Sequence, residues 1–143
     1  MNTTGTAEKT AWYSSFETFT RENEVTRNEM YLSFRLADND FGIEVTYIVE
    51  VIAMKKITEL PQMPVFIRGT VDYRGNMILV ADLRIYLDYP PRSGDDLSFI
   101  VVINFQGEMV GLIVDKVNEV RNAKQEELIP VRSKYGKSER ARQ

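Results

Sequence analysis

The chain of 143 residues contains no histidine and no cysteine. Without these residue types there is no Ser-His pair, no cysteine nucleophile and no metal site built on imidazole or thiolate. An enzyme with this composition would have to work with carboxylates, lysine, arginine or tyrosine. The absence of cysteine is also consistent with a cytoplasmic protein. Most designs of hydrolase are therefore excluded by composition alone.

The sequence also lacks any apolar run close to the roughly 20 residues that a membrane-spanning helix needs. Its first residues do not show the charged-then-apolar order of a signal peptide, so we expect a cytoplasmic location. Phosphate-loop, dinucleotide, zinc and EF-hand signatures are absent. The acidic pairs Asp95-Asp96 and Glu126-Glu127 have no apolar flank that would raise a pKa. We therefore expect no catalytic residue, no cofactor and no metal.

Positive charge is concentrated at the C-terminal end. Residues 132–143 carry five Lys/Arg and one Glu, so the remaining residues sum to −7 within a chain of net charge −3. A nucleic-acid-binding domain usually shows a basic face across the whole fold. A solvated basic tail is therefore favoured, and a single-stranded nucleic-acid-binding β-barrel with the tail as an electrostatic arm is a remote alternative.

The N-terminal lead, residues 1–29, is polar and shows no β pattern. Within it, Trp12, Phe16 and Phe19 follow the i, i+4, i+7 spacing of one face of a helix. This spacing predicts a short helix. The helix would either dock on the domain that follows or offer an aromatic anchor to a partner.

From Tyr31 onward the pattern has period two. Leu32, Phe34 and Leu36 alternate with other residues, which predicts a half-buried strand. A turn at 38–40 completes a hairpin, and a short helical turn near residue 45 leads into a third strand.

The next segments combine turn and strand signals. Residues 65–69 predict one helical turn that ends at a glycine. Two β runs around residues 74–76 predict a strong hairpin, and Asp82 is expected to cap a brief helix.

The pattern predicts five strands before a polar linker at residues 92–96 and about three strands after it. The linker is followed at 99–103 by a run that is apolar on both faces, as expected for a central strand. Short spacing with Gly and Pro punctuation favours small closed or partly closed β-barrels over a parallel α/β sheet. From the residues alone, the chain is a mainly β binding module.

Two charged residues are candidates for partner binding. Arg74 lies at the tip of the predicted hairpin and offers five fixed donors on a group that stays protonated. Glu50 is a lone carboxylate in an apolar strand, where alternation places it in solvent or at an interface.

Six short fragments, taken together and in order, form a pattern that none of them forms alone. They are Phe41-Gly42-Ile43, Val49-Glu50-Val51-Ile52, Phe66-Ile67-Arg68-Gly69, Tyr73-Arg74-Gly75, Ile78-Leu79-Val80-Ala81-Asp82-Leu83-Arg84 and Val110-Gly111-Leu112-Ile113-Val114-Asp115-Lys116-Val117. In this order and spacing, across residues 30–137, they resemble the CheW-domain family of chemotaxis coupling proteins.

The resemblance implies a mainly β fold of two small SH3-like barrels with short helices. The CheW-like domain would cover residues 30–143: subdomain one at about 30–91, subdomain two at about 92–131, and the basic tail at 132–143. It also implies a non-catalytic adaptor, which couples chemoreceptors to a CheA-type histidine kinase in two-component chemotaxis signalling. A CheW-like scaffold in a pathway other than motility is the alternative.

The partners implied by the resemblance are the regulatory domain of the kinase and the cytoplasmic tip of a methyl-accepting chemoreceptor. Val45 and Ile48 resemble kinase-contact positions, whereas Glu50 and Arg74 resemble receptor-contact positions. Recruitment to membrane receptor arrays would follow without insertion into the membrane. No nucleic acid and no cofactor are implied.

The sequence departs from the family pattern in two places. Asp72 and Tyr73 replace the usual Asn-Leu before Arg-Gly. Family members also continue beyond a stretch like residues 133–137 into a final hairpin and helix, so the second barrel is expected to be incomplete at its C-terminal end. Truncation is favoured over completion by a partner chain or a marginal second barrel.

Overall fold

A computed structural model describes residues 29–92 and 97–123 of the chain. The predicted helix of the N-terminal lead and the basic tail at 132–143 lie outside these residues.

Eight strands and two short helical turns make up these segments. The strands are β1 (Glu29–Leu36), β2 (Asn39–Glu44), β3 (Ile48–Ala53), β4 (Ile67–Tyr73), β5 (Asn76–Asp82), β6 (Phe99–Phe105), β7 (Glu108–Val114) and β8 (Lys116–Ala123). A 3-10 helix at Val45–Tyr47 separates β2 from β3, and the four-residue helix α1 (Leu83–Tyr86) follows β5. The mainly β class is confirmed. Within the described residues, so are the five strands before the linker and the three after it.

The strands form two sheets. One has three strands in the order β2-β1-β8, and the other has five in the order β3-β6-β7-β5-β4. All neighbours are antiparallel except β5 and β7. Each sheet combines strands from both sides of the linker. The predicted subdomain boundary near residue 92 stays a prediction.

Both faces of β6, an inner strand of the five-stranded sheet, are buried. On β6, Val101 and Ile103 join a core cluster shared with the three-stranded sheet. The alternate residues Ile100 and Val102 join a second cluster on the opposite face, together with Val80. Burial on both faces explains why residues 99–103 are apolar without alternation, as predicted for a central strand.

The two edges of the five-stranded sheet are linked through the segment after β3. Thr58 and Thr70 exchange two backbone hydrogen bonds, each 2.8 Å between nitrogen and oxygen. Nearby, the Lys55 ammonium donates to the backbone carbonyl of Asp72. Since β3 and β4 are the outer strands, these bonds partly close the sheet in the manner expected of a small barrel.

The close approach of Thr58 to β4 depends on Gly69. Its φ is +144°, and a Cβ built there would lie 2.1 Å from the carbonyl oxygen of Thr58. Only a residue without a side chain fits between these backbones.

Two local predictions are wrong. Residues 65–69 do not form one helical turn: a turn is confined to Val65 and Phe66, and β4 begins at Ile67, because Ile67 and Gly69 pair with β5. The first strand is not half-buried, since Tyr31 and Ser33 on its second face are buried as well. That strand lies between two neighbours, which covers more of its surface than an edge position would.

Candidate partner-binding site

The β4–β5 hairpin ends in a two-residue turn that exposes Arg74. Arg74 and Gly75 have φ values of +51° and +84°, as a type I′ turn requires. The Asp72 side chain accepts a hydrogen bond from the Gly75 nitrogen at 3.0 Å. Asn76 pairs with Tyr73 and so belongs to β5, which makes the turn one residue shorter than predicted.

The side chain of Glu50 is 37% exposed, although the residue lies on the more buried side of its strand. It shares the half-buried side of β3 with Ile48 and Ile52, whereas Val49 and Val51 are exposed. Glu50 is thus partly open to solvent and also meets partners, and its role as a contact residue stays a prediction. The carboxylate is accommodated on the inner side because partners on another strand reach it.

Those partners are Tyr73 and Arg74, and together with Glu50 they form what we call the hairpin cluster. The Tyr73 hydroxyl donates to Glu50 Oε1 at 2.6 Å. Arg74 donates to the same oxygen from Nη2 at 2.9 Å and from Nε at 3.3 Å. The Arg74 Nε also lies 3.1 Å from the Tyr73 oxygen, and its guanidinium carbon lies 5.5 Å from the ring centroid. The cluster joins β3 to the β4–β5 hairpin.

Electrostatics keep each member of the hairpin cluster in one protonation state near neutral pH. The hydrogen bond from Tyr73, then that from Arg74, hold the pKa of the Glu50 carboxyl below its usual value, with Lys55 adding a smaller effect. The same bond to Glu50 raises the pKa of the Tyr73 phenol. Glu50 is therefore ionised, while Tyr73 keeps the proton that it donates.

The structure thus joins the two predicted receptor-contact residues through their side chains, whereas the two predicted kinase-contact residues are joined through the backbone, where the Ile48 N–H donates to the Val45 carbonyl oxygen. Val45 is exposed at the start of the 3-10 helix, and Ile48 is half-buried and packs against the first core cluster. Both lie on the segment that leads into Glu50. They flank the hairpin cluster without taking part in it.

A second charged cluster, missed by sequence reasoning, is centred on Asp115 between β7 and β8. Arg84 donates to both carboxylate oxygens, with Nε 2.9 Å from Oδ1 and Nη2 2.7 Å from Oδ2. The backbone N–H of Ala37 donates to Oδ2 at 2.7 Å, and Arg92 Nη1 lies 3.5 Å from Oδ1. Asp115 therefore ties α1 and the residues before the linker to the β1–β2 turn.

Asp82 has the structural role that the sequence predicts. Its side chain accepts a hydrogen bond from the Arg84 nitrogen at 3.0 Å and caps α1. The one signal for Asp115 was a lone carboxylate directly after the apolar run 109–114. That signal does not identify Arg84, which is 31 residues away.

Residues 29–92 and 97–123 contain no group of three or more acidic side chains that could hold a metal ion. None of the helices described is long and apolar enough to cross a membrane.

Comparison with known proteins places these features in a family. The family described as "CheW-like domain" matches residues 30–142. The chemotaxis protein CheW of Klebsiella aerogenes is 29% identical over 105 residues, which cover 73% of this chain and 63% of that protein. The chemotaxis protein CheW of Bacillus subtilis is also 29% identical over 105 residues, covering 73% of this chain and 67% of that protein.

A solved structure gives the same result. The crystal structure of the scaffolding protein TtCheW from Thermoanaerobacter tengcongensis superposes with a TM-score of 0.63 and 32% sequence identity, covering 69% of this chain and 68% of that one. The two-sheet arrangement is consistent with the SH3-like fold that the resemblance implied. The chain belongs to the CheW-like domain family.

Proposed function

We propose that the chain is a non-catalytic adaptor that couples chemoreceptors to a CheA-type histidine kinase. It would act in the cytoplasm and be recruited to receptor arrays at the membrane. Membership of the CheW-like family and the relatives named as chemotaxis and scaffolding proteins support this role. The observation that carries it is the hairpin cluster, which holds an exposed guanidinium at the Arg-Gly position of the family pattern.

The proposed mechanism is coupling by simultaneous occupancy. The adaptor holds kinase and receptor in one assembly, so that the state of the receptor biases the conformation of the kinase. Arg74 and Glu50 would contact the receptor tip. Val45 and Ile48 would contact the regulatory domain of the kinase.

Two substitutions should separate these surfaces. Arg74→Ala is expected to weaken binding of a receptor-tip fragment about tenfold or more, because it removes a charged anchor, and to leave kinase binding nearly unchanged. Val45→Asp should have the opposite pattern. Val45 is a better probe than Ile48, since Ile48 packs against the core and its replacement would also cost stability. Isothermal titration calorimetry of the whole chain with each partner measures both effects.

Matched controls lie elsewhere on the surface. Val65 is an exposed valine, and Arg121 is an exposed arginine paired with Glu119, so Val65→Asp and Arg121→Ala should leave both affinities unchanged. Equal losses of both partners in Arg74→Ala would refute the assignment of two surfaces. Failure of the folded wild-type chain to bind either partner would refute the adaptor role.

A further inference from the structure

Tyr73 is the member of the hairpin cluster that the family pattern does not explain. Its ring is buried, with 4% of its surface exposed, and packs in the second core cluster beside Val71 and Ile78. The hydroxyl group is the part of the Tyr73 side chain that bonds the Glu50 carboxylate. A leucine, the usual residue at this position of the pattern, has no donor to offer.

A buried anchor changes what an exposed ion pair can do. Arg74 and Glu50 are long side chains, and 70% of the Arg74 side chain is exposed. Such pairs usually sample many geometries, and holding them in one arrangement costs side-chain entropy. The Tyr73 ring is fixed by packing, so its oxygen is a fixed point to which both flexible groups bond.

The bonding pattern also leaves part of the guanidinium available. The Nε and Nη2 atoms of Arg74 point toward Glu50 Oε1, and within the described residues no bond is made by Nη1. Arginine has five donors in a fixed fork, so its orientation decides where the remaining donors lie. Because the guanidinium is planar and rigid, holding its Nε and Nη2 atoms against Glu50 also fixes the position of Nη1.

We propose that the Tyr73 hydroxyl is a positioning group that holds Glu50 and Arg74 in one arrangement and thereby presents the free edge of the Arg74 guanidinium to a hydrogen-bond acceptor on the partner. Preorganisation of this kind improves affinity by lowering the entropy lost on binding. The identity of the partner as a receptor tip rests on the proposed function, whereas the positioning role does not.

The decisive variant is Tyr73→Phe in the whole chain, which removes the hydroxyl and keeps the ring. The carboxyl of Glu50, followed by NMR through a pH titration, should then have a higher pKa, because it loses one donor while Arg74 and Lys55 remain. Tyr89→Phe is the matched control: it removes a hydroxyl that accepts from Asn39 and should not change the Glu50 titration. An unchanged Glu50 titration in Tyr73→Phe would overturn the proposal.

Binding gives a second readout that a purely structural role would not affect. Affinity for the receptor-tip fragment should fall about two- to tenfold in Tyr73→Phe, as expected for one hydrogen bond. In an Arg74→Ala background, the same change should have no further effect. An equal loss in both backgrounds would contradict action through Arg74. If the wild-type chain does not bind the fragment, the proposed function fails, and the titration still decides the positioning role.

Discussion

Replacement of Gly69 by alanine is expected to lower the free energy of unfolding by about 3 kcal/mol or more. Two effects add at this position. The backbone φ is +144°, a conformation that residues other than glycine rarely adopt. The new Cβ would also lie only 2.1 Å from the Thr58 carbonyl oxygen. The obstacle is backbone and cannot rotate away. Relief requires breaking the two hydrogen bonds between Thr58 and Thr70 that link the edges of the sheet.

Urea unfolding of Gly69→Ala and Gly107→Ala separates the two effects. Gly107 has φ +84° and nothing within 4 Å of an added Cβ, so its substitution reports backbone strain without collision. We expect Gly107→Ala to lose about 1 kcal/mol. If the two variants were equally stable, the segment at Thr58 would not be held against β4 in solution.

Removal of the Asp115 carboxylate is expected to cost about 3 kcal/mol of stability, because it leaves the largely buried Arg84 cation without its carboxylate partner. The side chains of Asp115 and Arg84 are only 10% and 17% exposed. In Asp115→Ala, Arg84 would lose its bonds to both carboxylate oxygens, and the Ala37 N–H would lose its acceptor. Chemical denaturation measures the loss.

A solvent-exposed ion pair provides the control for Asp115. Glu119 pairs with Arg121 on the same strand, and both side chains are more than half exposed. We expect Glu119→Ala to change stability by less than about 1 kcal/mol. A similar small change in Asp115→Ala would mean that the cluster around Asp115 is hydrated and contributes little to the fold.

The same carboxylate should make stability depend on acid pH. Burial raises the pKa of Asp115, but hydrogen bonds from Arg84 and Ala37 and the charges of Arg84 and Arg92 outweigh it and hold the pKa below its usual value. A lowered pKa in the folded state stabilises the protein above the unfolded pKa, and this contribution is lost as pH falls below about 4. The stability difference between wild type and Asp115→Asn should therefore be constant near neutral pH and shrink in acid. A difference independent of pH would exclude this linkage.

Much of the fold could be predicted because its signals are local. The hairpin around Arg74 and Gly75, the helix capped by Asp82 and the apolar strand at 99–103 each depend on neighbouring residues. The wrong turn at 65–69 shows the limit of this approach. Ile67 and Gly69 belong to a strand because β5 pairs with them, and that partner is not visible from the segment itself.

The candidate site was predictable only in part, for the same reason. Arg74 was identified from its turn and Glu50 as a lone carboxylate among apolar residues, but the residues from Ile48 to Ile52 do not show which strand supplies the partners of Glu50. The hydroxyl of Tyr73 acts on a residue 23 positions earlier. A side-chain contact between residues so far apart in sequence depends on the curvature of the sheet, which brings its two outer strands together.

The interleaved pairing of strands has a consequence for how the chain reaches its native state. β1 pairs with β8, β3 with β6 and β5 with β7. Neither sheet can therefore form completely until strands from both sides of the linker have come together. Such long sequence separations slow folding and couple it into one transition. A chain cut between residues 92 and 97 would yield two fragments, each lacking partners for its own strands. We expect neither fragment to fold alone, because each exposes strand edges whose hydrogen-bonding partners lie on the other fragment.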